Sequence, residues 1–280
     1  MLAVDDRAIH HRAEPLNTPA TRMAALPIER PASVKPRVAR SPAKAMKVMG
    51  FVIASTKVDR KSFTRLWVSI RALNSSSDSS LTGRVRAIAP TVRKARVAAI
   101  ESGAAANLEL EAILPWEDPA GYRDVNPVGK VPALIRDDGP PLYQSNLVCE
   151  YLDAQGTTKI FPEPGPARWT ALRQIAAADG ILDASVAERM EAMFHDGDTA
   201  SNAFIERQEL SVDKALDQLE AEADDLEGPV TIGQVAVGCA LGYRDFRFAE
   251  ADWRDGRPRL AAWFDGFAAR PSMTSTDPEA

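Results

Sequence analysis

The sequence predicts a small α/β domain followed by an all-helical domain, with a long extension in front of both. Strand and helix patterns alternate over residues 84–161, and a proline-rich linker follows at 161–166. Only helical periodicity recurs over 167–277. Residues 1–83 are rich in proline and serine and show little helical or strand periodicity, so we assign them to neither domain.

The extension is basic, whereas the rest of the chain is acidic. Residues 1–83 contain 14 Lys and Arg against 6 Asp and Glu, and the remaining 20 basic and 33 acidic residues bring the chain to −5. This composition buries too little apolar surface to offset chain entropy, so we expect a largely disordered segment. Two short segments are exceptions: we expect a strand at 48–54 and one or two helical turns at 64–73. A mis-assigned start, a frameshift and a basic targeting segment remain alternatives.

Composition also excludes several function classes. The acidic body does not attract nucleic acid, and no apolar run approaches the ~18 residues that a membrane span needs. Two cysteines, Cys149 and Cys239, exclude a disulfide scaffold and indicate a reducing compartment, so we expect a cytoplasmic protein. Of three histidines only His195 lies outside the extension, so no multi-histidine metal site is expected.

The elements of the α/β domain are delimited by proline and glycine. A first strand, 84–89, ends at Pro90, and a helix over 91–102 stops at Gly103. On this helix apolar residues share one side, and Arg93, Lys94 and Arg96 lie elsewhere. Further strands are predicted at 107–114, 132–136 and 141–143, and a second helix at 144–155. The first two strands should be parallel, and the last two antiparallel.

Four helices are predicted beyond the linker, at 168–190, 204–226, 231–243 and 257–269. Thr231 and Gln234 have the spacing of a capping box at the start of the third. The run 235–243 is nearly all apolar, which is typical of a buried central helix.

Two neighbouring motifs are candidates for a binding site. In residues 126–134 (NPVGKVPAL) the Val131–Pro132 bond is one where a cis peptide is tolerated. The backbone N–H and C=O of Val131 would then face outward and pair with an extended, peptide-like ligand. Gln144 and Ser145 begin a helix, where free N–H groups and the Ser145 hydroxyl favour an anion. A strand-initiating proline and a simple helix cap are the alternative explanations.

Together with residues 143–152 (YQSNLVCEYL), 90–97 (PTVRKARV) and 231–246 (TIGQVAVGCALGYRDF), this motif resembles the soluble bacterial glutathione S-transferases. The resemblance covers about residues 84–277. It implies a thioredoxin-like domain at 84–161, a helical domain at 167–277, and glutathione as co-substrate without a metal. It further implies a small electrophilic substrate, a role in detoxification and a homodimer.

The resemblance also implies roles for individual residues. Val131 would hydrogen-bond the cysteinyl backbone of glutathione, Gln144 its γ-glutamyl ammonium, and Ser145 the adjoining carboxylate. Lys130 is the candidate for the glycine carboxylate. Asp179 and Asp183 are expected either to approach the ligand of a partner subunit or to be solvated or helix-capping residues.

One departure from the family pattern concerns catalysis. Relatives have Ser or Thr just before the proline, where the hydroxyl stabilises the glutathione thiolate, but this chain has Ile88 and Ala89. Thr91 is the nearest hydroxyl and becomes the catalytic candidate. The sequence therefore predicts a weak transferase or a non-catalytic glutathione-binding module. A thioredoxin-type oxidoreductase would need a cysteine after the first strand, and none is there.

Overall fold

The computed structural model describes residues 64–69, 89–113, 115–195 and 202–278, all within one compact unit that spans Lys57–Ala280. The expectations for residues 1–63, including the strand at 48–54, lie outside the described residues. So do residues 84–88 of the predicted first strand. Within the described residues, no helix is both long and apolar enough to cross a bilayer.

The α/β domain is built on a four-stranded sheet. In chain order its strands are β1 (Thr64–Ser69), β2 (Leu108–Ile113), β3 (Ala133–Ile135) and β4 (Leu142–Tyr143), and their order across the sheet is β2-β1-β3-β4. β1 pairs parallel with β2 and antiparallel with β3, and β3 pairs antiparallel with β4. The antiparallel pairing predicted for the last two strands is confirmed, and β1 has the parallel direction that was expected of the strand at 84–89.

The helical turn predicted within residues 64–73 is wrong, because Thr64–Ser69 is a strand. β1 lies at Thr64–Ser69, inside the segment that we assigned to the extension and partly to a helical turn, and it occupies the sheet position expected for 84–89. Six residues are too few to distinguish helical from strand periodicity. Hydrogen bonding to a neighbour on each side determines the strand instead, and those neighbours lie 40 or more residues further along the chain.

Eight helices occur among the described residues: α1 (Pro90–Ser102), α2 (Tyr122–Val125), α3 (Ser145–Gln155), α4 (Pro166–Phe194), α5 (Asn202–Ala221), α6 (Ile232–Arg247), α7 (Pro258–Ala268) and α8 (Pro271–Thr274). Gly103 ends α1 with φ 79°, as the stop signal predicted. The capping box of α6 is confirmed, with the Thr231 N–H donating to Gln234 Oε1 at 2.9 Å.

The core of the helical domain is α6, which packs against α4 and α1. Its residues from Ile232 to Leu241 are all buried. A Cβ added to Gly233 would lie 2.9 Å from the Cα and the carbonyl oxygen of Ala171, so glycine permits the close approach of α6 and α4. The burial predicted for the apolar run at 235–243 is confirmed.

α1 joins the two domains through polar contacts. Arg93 donates to the Met273 carbonyl at 3.1 Å, and Lys94 contacts Asp179 at 2.5 Å. Glu101 accepts two bonds from Arg270, at 2.9 and 2.8 Å, which hold the pKa of its carboxyl below the usual range. The prediction that Arg93 and Lys94 lie away from the buried face is wrong, because the helical domain covers that face as well.

Proline substitution distinguishes the two positions proposed for the first strand. Leu66→Pro should lower the free energy of unfolding by about 3 kcal/mol or more, because proline removes a ladder donor from a strand paired on both sides. Val85→Pro should change it by less than about 1 kcal/mol. Urea unfolding followed by far-UV circular dichroism measures both. A larger loss of unfolding free energy in Val85→Pro than in Leu66→Pro would show that the first strand lies at 84–89.

Candidate functional site

A cleft of about 450 Å³ lies where the start of α1, the 126–131 loop and the start of α3 face α4. The seven residues that sequence analysis placed near a ligand all line it: Thr91, Lys130, Val131, Gln144, Ser145, Asp179 and Asp183. A larger cleft, about 540 Å³, lies at the other end of α3 and contains none of them. Its Asp138 is already bonded to Arg136 and Tyr151. The smaller cleft is therefore the candidate site.

The loop before β3 holds Val131 at the edge of the cleft. The Val131–Pro132 bond is cis, as the sequence allowed. The Val131 carbonyl accepts a hydrogen bond from Thr91 Oγ1 at 3.0 Å, which ties the loop to α1. Asn126 is 1% exposed; its Nδ2 donates to the Lys130 carbonyl at 2.5 Å, and its Oδ1 accepts from the Val128 N–H at 3.0 Å. Sequence analysis missed this role of Asn126, although an asparagine opening a turn is its signal.

α3 begins at the cleft with a side-chain cap. Gln144 adopts φ 77°, a conformation rare for a residue with a Cβ, and its Oε1 accepts from the N–H groups of Asn146 and Leu147 at 2.8 and 3.2 Å. Both lone pairs of that oxygen are therefore in use. Ser145 is buried at the first helical position and lines the cleft, so its hydroxyl and the helix dipole remain available for an anion.

A closed ring of three side chains lies on the α4 side of the cleft. Lys94 Nζ donates to Asn146 Oδ1 at 2.7 Å and to Asp179 Oδ1 at 2.5 Å, and Asn146 Nδ2 donates to Asp179 Oδ2 at 2.8 Å. Lys94 is fully buried. The alternative that Asp179 caps a helix is wrong, because it lies inside the long helix α4; its side chain is partly exposed, and both of its oxygens are bonded.

Comparison with known proteins identifies the family. Residues 88–155 match the glutathione S-transferase N-terminal domain, and residues 202–266 match the C-terminal domain. A glutathione transferase family member from Pseudomonas fluorescens Pf-5, solved with bound glutathione, is 35% identical; the match covers 77% of this chain and 98% of that one, with a TM-score of 0.68. The chain belongs to the glutathione S-transferase family.

Two further relatives agree with this assignment. A glutathione S-transferase from Methylobacillus flagellatus, solved with glutathione bound, is 29% identical, covers 77% of this chain and 99% of its own, and has a TM-score of 0.63. An uncharacterized GST-like protein of Escherichia coli K12 is 28% identical over 193 residues, 68% of this chain and 94% of that protein. The predicted glutathione transferase fold is confirmed.

Among the residues that the structure describes, the start of α1 offers a single hydroxyl to the cleft. The helix is capped by Ala89, whose side chain makes no hydrogen bond and whose carbonyl accepts from the Val92 and Arg93 N–H groups at 3.0 and 3.1 Å. Ile88 lies outside the described residues. Thr91 lines the cleft, but its hydroxyl proton is already donated to Val131. Its oxygen is therefore oriented to accept a hydrogen bond from a ligand.

Neither cysteine of the chain is available as a nucleophile in the cleft. Cys149 in α3 and Cys239 in α6 are fully buried, and burial raises the pKa of their thiols to about 12 and about 11. In the part of the chain that the structure describes, no group of three or more His, Cys, Asp and Glu residues could hold a metal ion.

The bond between Thr91 and Val131 should contribute measurably to stability. Thr91→Val removes the donor at nearly constant shape and should lower the free energy of unfolding by about 0.5–1.5 kcal/mol. Thr91→Ser keeps the hydroxyl and serves as the matched control, expected to retain most of that stability. Denaturant titration of wild type and the two variants measures these free energies of unfolding. A loss in Thr91→Ser with none in Thr91→Val would show that the methyl group, and not the hydroxyl, stabilises this contact.

Proposed function

We propose that this chain binds reduced glutathione in the cleft and conjugates its thiol to small electrophiles. The observation on which the proposal rests is that one cleft brings together Val131, the Gln144–Ser145 helix start and Lys130. The Pseudomonas fluorescens relative, solved with bound glutathione, adds support because the match covers nearly all of its chain. The electrophile would lie beside the sulfur, against the helical domain.

Each end of glutathione has a complementary group in the cleft. The main chain of Val131 pairs with the cysteinyl residue, and its carbonyl has a second lone pair beside the bond from Thr91. The Ser145 hydroxyl and the start of α3 take the γ-glutamyl carboxylate. Gln144 lies beside the adjoining ammonium, but both lone pairs of its Oε1 are used in capping α3, so the exposed carboxylate of Asp183 is the acceptor for that group. Lys130, exposed at the rim, reaches the glycine carboxylate.

The chemistry requires a thiolate at the start of α1. The dipole of this helix favours the deprotonated sulfur, which attacks the electrophilic carbon. A sulfur–carbon bond forms, and the bond to the leaving group breaks with its electron pair. Without a hydroxyl at Ala89, roughly 1.5–3 kcal/mol of charge-assisted hydrogen bonding is missing, so turnover should be slow. Thr91, the catalytic candidate, is oriented by Val131 and contributes chiefly by orienting the thiol.

The second candidate function is a glutathione-binding module without catalysis. Two observations favour it: Ala89 has no donor, and the Thr91 hydroxyl is already engaged. Binding and turnover therefore have to be measured separately, by calorimetry with reduced glutathione and by conjugation to 1-chloro-2,4-dinitrobenzene.

Restoring the missing hydroxyl should raise the turnover. Ala89→Ser is expected to increase kcat about tenfold or more, because a donor beside the sulfur stabilises the thiolate by more than 1.4 kcal/mol. Ala154→Ser, on the exposed side of α3, is the matched control and should change nothing. Glutathione binding without turnover in either wild type or Ala89→Ser would establish the non-catalytic module. Absence of glutathione binding would overturn both functions.

We also infer a homodimer in the cytoplasm. Trp169 and Leu147 are large apolar side chains that are 71% and 47% exposed, and they adjoin the contacts that join α3 to α4, Arg168–Glu150 and Asn146–Asp179. A second copy covering this face would bury both. The two buried thiols fit a reducing compartment.

Charge placed on this face should separate the subunits. Trp169→Asp is expected to convert a dimer into a monomer in sedimentation velocity, because an unpaired carboxylate would be buried at the contact. Ile100→Asp introduces the same charge at an exposed apolar residue of α1 and should leave the dimer intact. A wild-type protein that sediments as a monomer would contradict the inference directly.

A further inference from the structure

Lys94 is a fully buried cation beside the cleft. It lies one turn after Thr91 on α1, it is 0% exposed, and its ammonium contacts Asn146 on α3 and Asp179 on α4. A buried ammonium is costly unless its donors are bonded to a compensating charge. The ring meets that requirement, since each of its three members is bonded to the other two.

The ring controls the charge that the cleft presents to a ligand. The Asp179 side chain is 24% exposed and lines the cleft, so its carboxylate contributes to the local potential. Lys94 neutralises this carboxylate at 2.5 Å, and Lys94 and Asn146 together bond both of its oxygens. Asn146 follows Ser145 directly in α3, and its N–H donates to the Gln144 cap. The ring therefore also fixes the first turn of the helix that faces the anion.

We propose that Lys94 is a positioning residue for glutathione. By pairing with Asp179 and holding Asn146, it removes a repulsive charge and keeps the start of α3 aligned for the γ-glutamyl carboxylate. This role rests on the proposed function, because it concerns the affinity of the same cleft for glutathione. Lys94 does not line the cleft and acts only through Asp179 and Asn146.

The role predicts a defect in glutathione affinity that a second substitution repairs. Lys94→Met keeps an unbranched side chain but leaves the Asp179 carboxylate uncompensated, and it should raise the Kd for reduced glutathione about tenfold or more. In the double variant Lys94→Met/Asp179→Asn the repulsive charge is gone, and the Kd should return to within about threefold of wild type. KM for glutathione should follow the Kd, while KM for 1-chloro-2,4-dinitrobenzene stays unchanged.

A matched variant separates this effect from general loosening of the two domains. Arg270→Met breaks another charged contact of α1 with the helical domain, the pair with Glu101 near the opposite end of the helix. It should lower the Tm, but it should leave the Kd for glutathione within about twofold of wild type. If Lys94→Met does not fold, Asn146→Ala opens the ring without leaving a buried charge alone, and it should raise the Kd severalfold.

Isothermal titration calorimetry with reduced glutathione, together with thermal unfolding, provides every readout. If wild type binds glutathione and Lys94→Met binds equally well, the role of Lys94 is overturned and the proposed function survives. The role of Lys94 would also be overturned if Arg270→Met lost as much affinity for glutathione as Lys94→Met. A double variant that binds glutathione no more tightly than Lys94→Met would overturn it as well. If wild type itself does not bind glutathione, the proposed function is contradicted, and the role of Lys94 falls with it.

Discussion

The ammonium of Lys94 has no access to water, and this constraint organises the contact between the α/β domain and the helical domain. A charge at that depth requires acceptors within hydrogen-bond distance, and the α/β domain alone offers only the amide of Asn146. The carboxylate comes from Asp179 on α4. The α/β domain therefore leaves a buried charge uncompensated unless α4 lies against α1 in this arrangement.

The shape of the cleft also depends on the position of α1. In the first turn of α1, Thr91 donates to the Val131 carbonyl, and in the next turn Lys94 contacts α3 and α4. In the last turn, Glu101 accepts from Arg270. A shift of α1 would move the helix dipole, the loop that pairs with a peptide ligand and the anion-binding start of α3 together. Binding and interdomain packing are thus linked at the first two turns of α1, and substitutions of Thr91 or Lys94 are expected to affect both.

Sequence patterns predicted which residues line one cleft better than they predicted the sheet. The residues 126–134 and 143–152 form continuous motifs whose local conformation, a cis peptide and a helix start, places Val131 and Ser145 directly. β1 could not be predicted in this way, because its pairing partners are distant in sequence and six residues define no period. Lys94 was assigned to a polar face for a similar reason. Whether a charged helix face meets water or a second domain is decided by tertiary packing.

The start of α1 also bears on the missing hydroxyl. Ala89, directly before Pro90, makes no side-chain cap, and its carbonyl accepts from the Val92 and Arg93 N–H groups. The residue before Pro90 therefore contributes its main chain, and no side-chain donor, to the start of this helix. The dipole of α1 does not depend on that side chain, because it arises from the peptide units of the helix itself. Stabilisation of a thiolate in this protein must accordingly come first from the helix, and a donor at Ala89 would add to a field that is already present.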